Sequence, residues 1–120
     1  MQTILKIDDD LQLVFGIALV ADEIDAQGDV IDERELIKVA SRSQGAPVKI
    51  DHEGGGVGHI ACSFPLTTDI AKALGISRPG KPAWLVGLKV DDADTWRRVK
   101  TGRLSGGLSI GGRAIKEELR

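Results

Sequence analysis

Residues 83–102 read Ala83-Trp84-Leu85-Val86-Gly87-Leu88-Lys89-Val90-Asp91-Asp92-Ala93-Asp94-Thr95-Trp96-Arg97-Arg98-Val99-Lys100-Thr101-Gly102, and they decide the fold class. Trp84, Val86, Leu88 and Val90 alternate with Leu85, Gly87 and Lys89, the period-two pattern of a strand with one buried face. At Asp91 or Asp92 the period changes. An acidic cap opens a helix that carries Trp96 and Val99 on one face and stops at Gly102.

The same grammar holds upstream. Thr3–Ile7 and Leu11–Val20 read as two strands joined by an Asp8-Asp9-Asp10 turn, the second apolar enough to be buried on both faces. After an acidic loop over 22–29, Asp32 is placed to cap a helix. Glu35 completes a capping box, Ile31 can staple onto Leu36, and Leu36, Val39 and Ala40 form the buried face. Gly45 before Pro47 ends that helix. Pro47–Asp51 is a short strand delivering His52 to the turn Gly54-Gly55-Gly56, and Val57–Phe64 is a further strand. Thr67 or Thr68 caps a short helix carrying Ile70, Ala73 and Leu74, and 77–82 form a turn-rich loop. Leu104–Ile115 is the last strand, interrupted by Gly106, Gly107, Gly111 and Gly112. About six strands and two or three helices without regular alternation predict an α+β fold. It is a mainly antiparallel sheet or barrel with peripheral helices, formed as a single domain over 1–120.

Composition removes several function classes. The chain has 120 residues, 42% hydrophobic and 28% charged, the balance of a globular domain. A net charge of −2 with interspersed signs gives no basic face for nucleic acid. Two Trp, two Phe and no Tyr leave few platforms for stacking bases. The longest apolar run, Leu13–Ala21, is too short to span a bilayer, and the N-terminus lacks a signal-peptide layout. A cytosolic protein with neither a nucleic-acid nor a membrane partner is expected. The single cysteine, Cys62, lies among apolar neighbours and is expected to be a small buried hydrophobe.

Chemistry is concentrated at two places. Gly107-Leu108-Ser109-Ile110-Gly111 matches the G-x-S-x-G pattern. Three fixed positions in five do not by themselves separate a nucleophile from a serine in a glycine-rich strand. The layout argues against an α/β-hydrolase, because both histidines precede Ser109 and strand-like sequence follows it. Leu104-Ser105-Gly106-Gly107 has the look of an ATPase signature, but no phosphate-binding G-x-x-x-x-G-K-[ST] loop exists. The run Gly54-Gly55-Gly56-Val57-Gly58 leads into a strand, so it reads as a turn and not as a phosphate cradle. His52, His59, Asp51 and Glu53 lack the further ligands and spacing of a zinc site, so no metal or cofactor is expected. The combination carries more than its parts. One strand brings His52, a base suited to neutral pH, and a later glycine-bracketed strand brings Ser109, which needs such a base.

Four segments, in order, resemble the prohead (capsid maturation) proteases of tailed phages, related in fold to herpesvirus assemblin, and most of all the XkdF-type phage serine proteases. Asp25-Ala26-Gln27-Gly28-Asp29 resembles the family's D-x-x-G-D loop, and Val48-Lys49-Ile50-Asp51-His52 its histidine strand. Residues 84–90 with Trp96–Lys100 and Gly102 resemble the strand and helix before the active serine, and 107–112 the serine strand itself. The resemblance implies an assemblin-like serine endopeptidase with Ser109 as nucleophile and His52 as general base, Ser105 being the weaker alternative. It implies phage scaffold and major capsid proteins as substrates, autocleavage, action inside the assembling prohead in the host cytoplasm, and by analogy a homodimer. The family's third catalytic residue lies after the serine in a segment reading roughly E-[IV]-S-[LV]-V-x-x-P. Residues 1–120 contain none, and Glu117 and Glu118 are too near Ser109 to be equated with it, so that residue is expected beyond Arg120 and this chain is expected to be impaired without it. The competing reading is a non-enzymatic phage barrel, structural or protein-binding, in which the glycines serve only bends.

Overall fold

The computed structural model describes residues 3–24, 30–50, 56–77, 80–101 and 108–110. In chain order the elements are β1 (Thr3–Asp8), β2 (Leu13–Val20), α1 (Glu33–Arg42), β3 (Pro47–Ile50), β4 (Gly56–Leu66), α2 (Thr68–Ala73), β5 (Ala83–Val90), α3 (Ala93–Lys100) and β6 (Leu108–Ile110). The strands form one six-stranded sheet in the order β1-β2-β5-β4-β3-β6. Every pairing is antiparallel. The α+β class, the antiparallel sheet and the three helices agree with the sequence. The barrel alternative does not: β1 and β6 are the two ends of the order, and no ladder joins them among the described residues.

The helices form where local chemistry was legible. Asp32 Oδ1 accepts the Glu35 N–H at 2.8 Å, closing the first turn of α1. Asp92, not Asp91, caps α3, its Oδ2 accepting the Thr95 N–H at 2.8 Å and the Thr95 hydroxyl at 2.7 Å. Thr67 caps α2. Within α2 the expected apolar face is corrected: Ala71 is the buried residue, whereas Leu74, the C-cap, is exposed.

The core lies between the sheet and α1 and α3. It comprises Trp84, Val86, Leu88 and Val90 of β5, Val14 and Leu19 of β2, Ile60 of β4 and Val48 of β3, closed over by Leu36, Val39, Trp96 and Val99. Trp84 is fully buried, and its indole N–H donates to Ser63 Oγ at 2.8 Å. That hydroxyl in turn donates to the Ala40 carbonyl at 2.6 Å, one of the four carbonyls left without a partner at the end of α1. The relay fastens helix to sheet.

Two bulges set which side chains enter this core. Ile17 pairs with Leu85 but Leu19 with Trp84, and Ile60 pairs with Leu88 but Cys62 with Gly87. Each extra residue exchanges the faces of everything beyond it. Cys62, expected to be buried, is therefore exposed. It stands with exposed Phe64 and half-buried Phe15, Ile17 and Leu85 on the face opposite α1. Ile17 and Leu85 being only half-buried, β2 is fully buried on one face alone. Two boundaries also move. Leu11 and Gln12 belong to the turn before β2, and β4 runs on to Leu66. Pro65 lies in this extension, across from Trp84 of β5 and beyond the end of the β3 ladder, so β4 has a strand on only one side there among the described residues.

Candidate active site

β3 positions the site. α1 ends at the C-cap Ser43, and Gly45, at φ +83°, turns the chain back toward the sheet in a conformation that favours glycine. The Gly45 N–H donates to the Ile60 carbonyl and the Ile60 N–H to the Ala46 carbonyl, both at 2.8 Å. This pair clamps the entry of β3 onto β4. Pro47 takes the first strand position and Val48 is fully buried. The ladder then runs Pro47↔His59, Val48↔Gly58 and, after a bulge, Lys49↔Gly56.

On its other edge β3 receives β6, with Val48↔Ile110, Lys49↔Ser109 and Ile50↔Leu108. Ser109 thus occupies the register position directly across from Lys49, three residues before His52. β6 confirms strand structure for 108–110 of the expected Leu104–Ile115, while 102–107 and 111–115 lie outside the described residues. His52, Asp51, Glu53 and the alternative serine Ser105 also lie outside them. The structure therefore brings the strand that leads to His52 against the strand that carries Ser109.

The other histidine plays a different part. His59 is on β4, paired through its backbone with Pro47 on one side and Lys89 on the other. Its Nδ1 is 3.9 Å from Asp91 Oδ2, with both side chains about half exposed. One strand, β3, lies between it and β6.

The segment entering β6 comes from α3, and α3 is held by a residue the sequence reading treated only as part of a turn. Asp9 Oδ1 accepts the Trp96 indole N–H at 2.6 Å, and Lys100 Nζ donates to Asp9 Oδ2 at 3.0 Å. The indole N–H above all, then the Lys100 ammonium, hold the Asp9 carboxyl below its usual range. Asp92 is lowered likewise, by the Thr95 hydroxyl first and the Thr95 N–H second. One acid at each end of α3 fixes the last described element before the serine strand. No local signal marks Asp9, since its partners are far along the chain.

A family model described as "Putative phage serine protease XkdF" matches residues 1–118. The chain belongs to that family. It is also 28% identical over 113 residues to the phage-like element PBSX protein XkdF of Bacillus subtilis (strain 168). That alignment covers 92% of this chain and 40% of the relative, so the chain spans about two fifths of the length of the curated relative it matches. No solved structure matches the chain significantly. Membership of the XkdF family agrees with the resemblance drawn from the four sequence segments.

Proposed function

We propose that this chain is the catalytic domain of an assemblin-like serine endopeptidase, with Ser109 as nucleophile and His52 as general base. The pairing of β3 with β6 is the observation that carries the reading, because it sets the serine strand against the strand running into His52. Membership of a family described as phage serine proteases supports this reaction class. In the proposed reaction, the Ser109 hydroxyl proton passes to the His52 imidazole as Oγ attacks a peptide carbonyl. His52 then gives that proton to the departing amine, and water, deprotonated by the same imidazole, hydrolyses the acyl-enzyme. An acid that orients the imidazole completes this scheme, and its loss costs about 10⁴ in turnover in the Ser-His-Asp template. The substrates in this reading are phage scaffold and major capsid proteins, and the protein itself, cleaved inside the assembling prohead in the host cytoplasm, the protease acting as a homodimer.

The test is labelling by a serine-directed fluorophosphonate, with the modified residue located by peptide mapping, in the full-length protein. Labelling at Ser109 that disappears in Ser109→Ala and His52→Ala is expected. A protein inert to the reagent, with the fold intact by circular dichroism, would return the chain to the non-enzymatic, protein-binding reading. The half-buried apolar face around Phe64 would then be the surface to examine.

A further inference from the structure

β1 ends the sheet order, and among the described residues no strand pairs with its outer edge. An open edge offers unpaired N–H and C=O groups to any extended chain. This edge is also apolar. Ile4 is 53%, Leu5 59% and Ile7 37% exposed, three of the ten large hydrophobics exposed among the described residues. The bulge between Ile4 and Lys6 arranges them: Ile4 pairs with Gly16 and Ile7 with Val14, while Lys6 pairs with Phe15 and Asp8 with Leu13. Directly opposed residues share a face. Ile4 and Ile7, three apart in the chain, therefore both lie on the face that holds buried Val14, and Lys6 and Asp8 lie on the other.

From this arrangement we propose that the open edge of β1 binds β1 of a second copy of this chain, antiparallel about a two-fold axis normal to the sheet. The contact rests on the homodimer of the proposed function, to which it gives a surface, and not on the catalytic reading of Ser109. The register selects the occupant. Opposing Ile4 to Ile7 of the second copy, and so Leu5 to Lys6, sets core-face residue against core-face residue. A shift of one residue opposes Ile4 to Lys6 or to Asp8, an apolar side chain against a charged one of the other face. Larger shifts pair fewer of the six residues. Lys6 and the bulge, devices that blunt an edge against indiscriminate pairing, thus leave one register that matches over the strand. The two Lys6 ammonium groups then flank the axis. Unit charges about 6 Å apart in water repel by under about 1 kcal/mol, which burial of one or two CH₂ groups offsets. Each copy has one such edge, so the contact is isologous and closes at a dimer. Six residues a side, against the roughly 20–30 of a standard interface, make it weak, with a Kd of about 10 μM to 1 mM.

Sedimentation equilibrium of the chain over that range of concentration is expected to show monomer passing to dimer. Ile4→Lys, at a half-exposed position, should raise Kd at least about tenfold with the circular dichroism unchanged. Added salt should tighten the dimer about two- to threefold, because it screens one Lys6 from the other. The register is read by cross-linking under mild oxidation, in chains carrying Cys62→Ala to remove the exposed native thiol. Mixed Ile4→Cys and Ile7→Cys chains should form a heterodisulfide. Neither should link as fast to itself, nor to Leu74→Cys, an exposed position on another element. A misfolded variant cannot produce that pairing rule. A chain that stays monomeric at about 1 mM would overturn both the contact and the homodimer. A dimer indifferent to Ile4→Lys, with no preferred heterodisulfide, would overturn the β1 contact and leave the homodimer on another surface. Self-linking of Ile7→Cys in a dimer that salt weakens would also overturn it, in favour of a register opposing Lys6 to Asp8. None of these outcomes bears on Ser109, whose reading stands or falls with its labelling.

Discussion

The hydroxyl of Ser63 stands between two buried groups, which makes its removal a sharp test of how the helix is fastened to the sheet. Ser63→Ala leaves the Trp84 indole N–H without its acceptor and the Ala40 carbonyl without its donor. Trp84 has 0% and Ala40 1% of its surface exposed, so neither readily finds water in exchange. Leaving a buried donor or acceptor unpaired costs about 1–3 kcal/mol, and partial exposure of Ser63 argues for the lower half of that range at each group. A total of about 2–4 kcal/mol is expected, which for a chain of this size lowers Tm by roughly 6–20 °C. Ser63→Thr keeps the hydroxyl and suits a strand, so it should lose less than about 1 kcal/mol. Urea unfolding followed by Trp fluorescence measures both, with the slope m serving as a control for unchanged surface exposure. A double-mutant cycle with Trp84→Phe isolates the indole–hydroxyl bond and should return a coupling of about 1 kcal/mol. Should Ser63→Ala cost under about 0.5 kcal/mol, or couple to Trp84→Phe by nothing measurable, the relay is not what joins α1 to the sheet.

Further outcomes follow from single positions. A Cβ at Gly58 would run into the Lys89 carbonyl group, with the Lys89 carbon at 2.9 Å and Val90 Cα at 3.0 Å. Backbone cannot yield as a side chain can, so Gly58→Ala should cost at least about 2 kcal/mol, and more than Gly87→Ala, where a Phe15 ring edge can shift. Equal midpoints for the two variants in urea would refute this. Asp9 is held below its usual carboxylate range in the folded chain, so the unfolded chain takes up the proton first as pH falls. Its stabilisation is fully present above the ordinary value of about 3.9 and is lost as pH drops through the lowered folded value. Asp9→Asn should flatten the acid limb of a stability–pH curve in that window, and an unchanged limb would show that the Trp96–Asp9 bond does not form in solution. Cys62 is exposed and should react fully with a thiol reagent in the native protein, while protection until denaturation would contradict the bulge at Ala61.

What was legible in the sequence was the short-range chemistry. Asp32, Thr67 and Asp92 cap helices because an N-cap oxygen reaches an N–H only three residues on. The β5 alternation survives because no bulge interrupts that strand's own period. Bulges defeat such reading. Ile60 and Cys62 are two apart and should share a face, yet one extra residue between them turns Cys62 outward. The sheet order was equally hidden, since β5 inserts between β2 and β4 through pairings far apart in the chain. Asp9 became visible for the same reason only in three dimensions. It meets Trp96 and Lys100 through contacts that no local pattern records. The serine motif itself was legible because its glycines and serine are contiguous.

The attachment of β6 then bears on how the proposed site depends on the fold. Among the described residues, β6 joins the sheet through three ladder pairs to β3 alone. β3 is four residues long and is fixed by its own short ladder to β4 and the Gly45–Ile60–Ala46 hydrogen bonds. Among the residues whose burial is described, the sheet β1-β2-β5-β4, with α1 and α3 against it, holds nearly all of the core, with Val48 added from β3. A strand tied by three described ladder pairs to one neighbour, itself only four residues long, is where local opening is expected. Loosening the β3 clamp would part the serine strand from the strand leading to His52 while the larger sheet stayed folded. Activity should therefore be lost before global structure under mild denaturation, as a site held at the β3–β6 edge of the sheet requires.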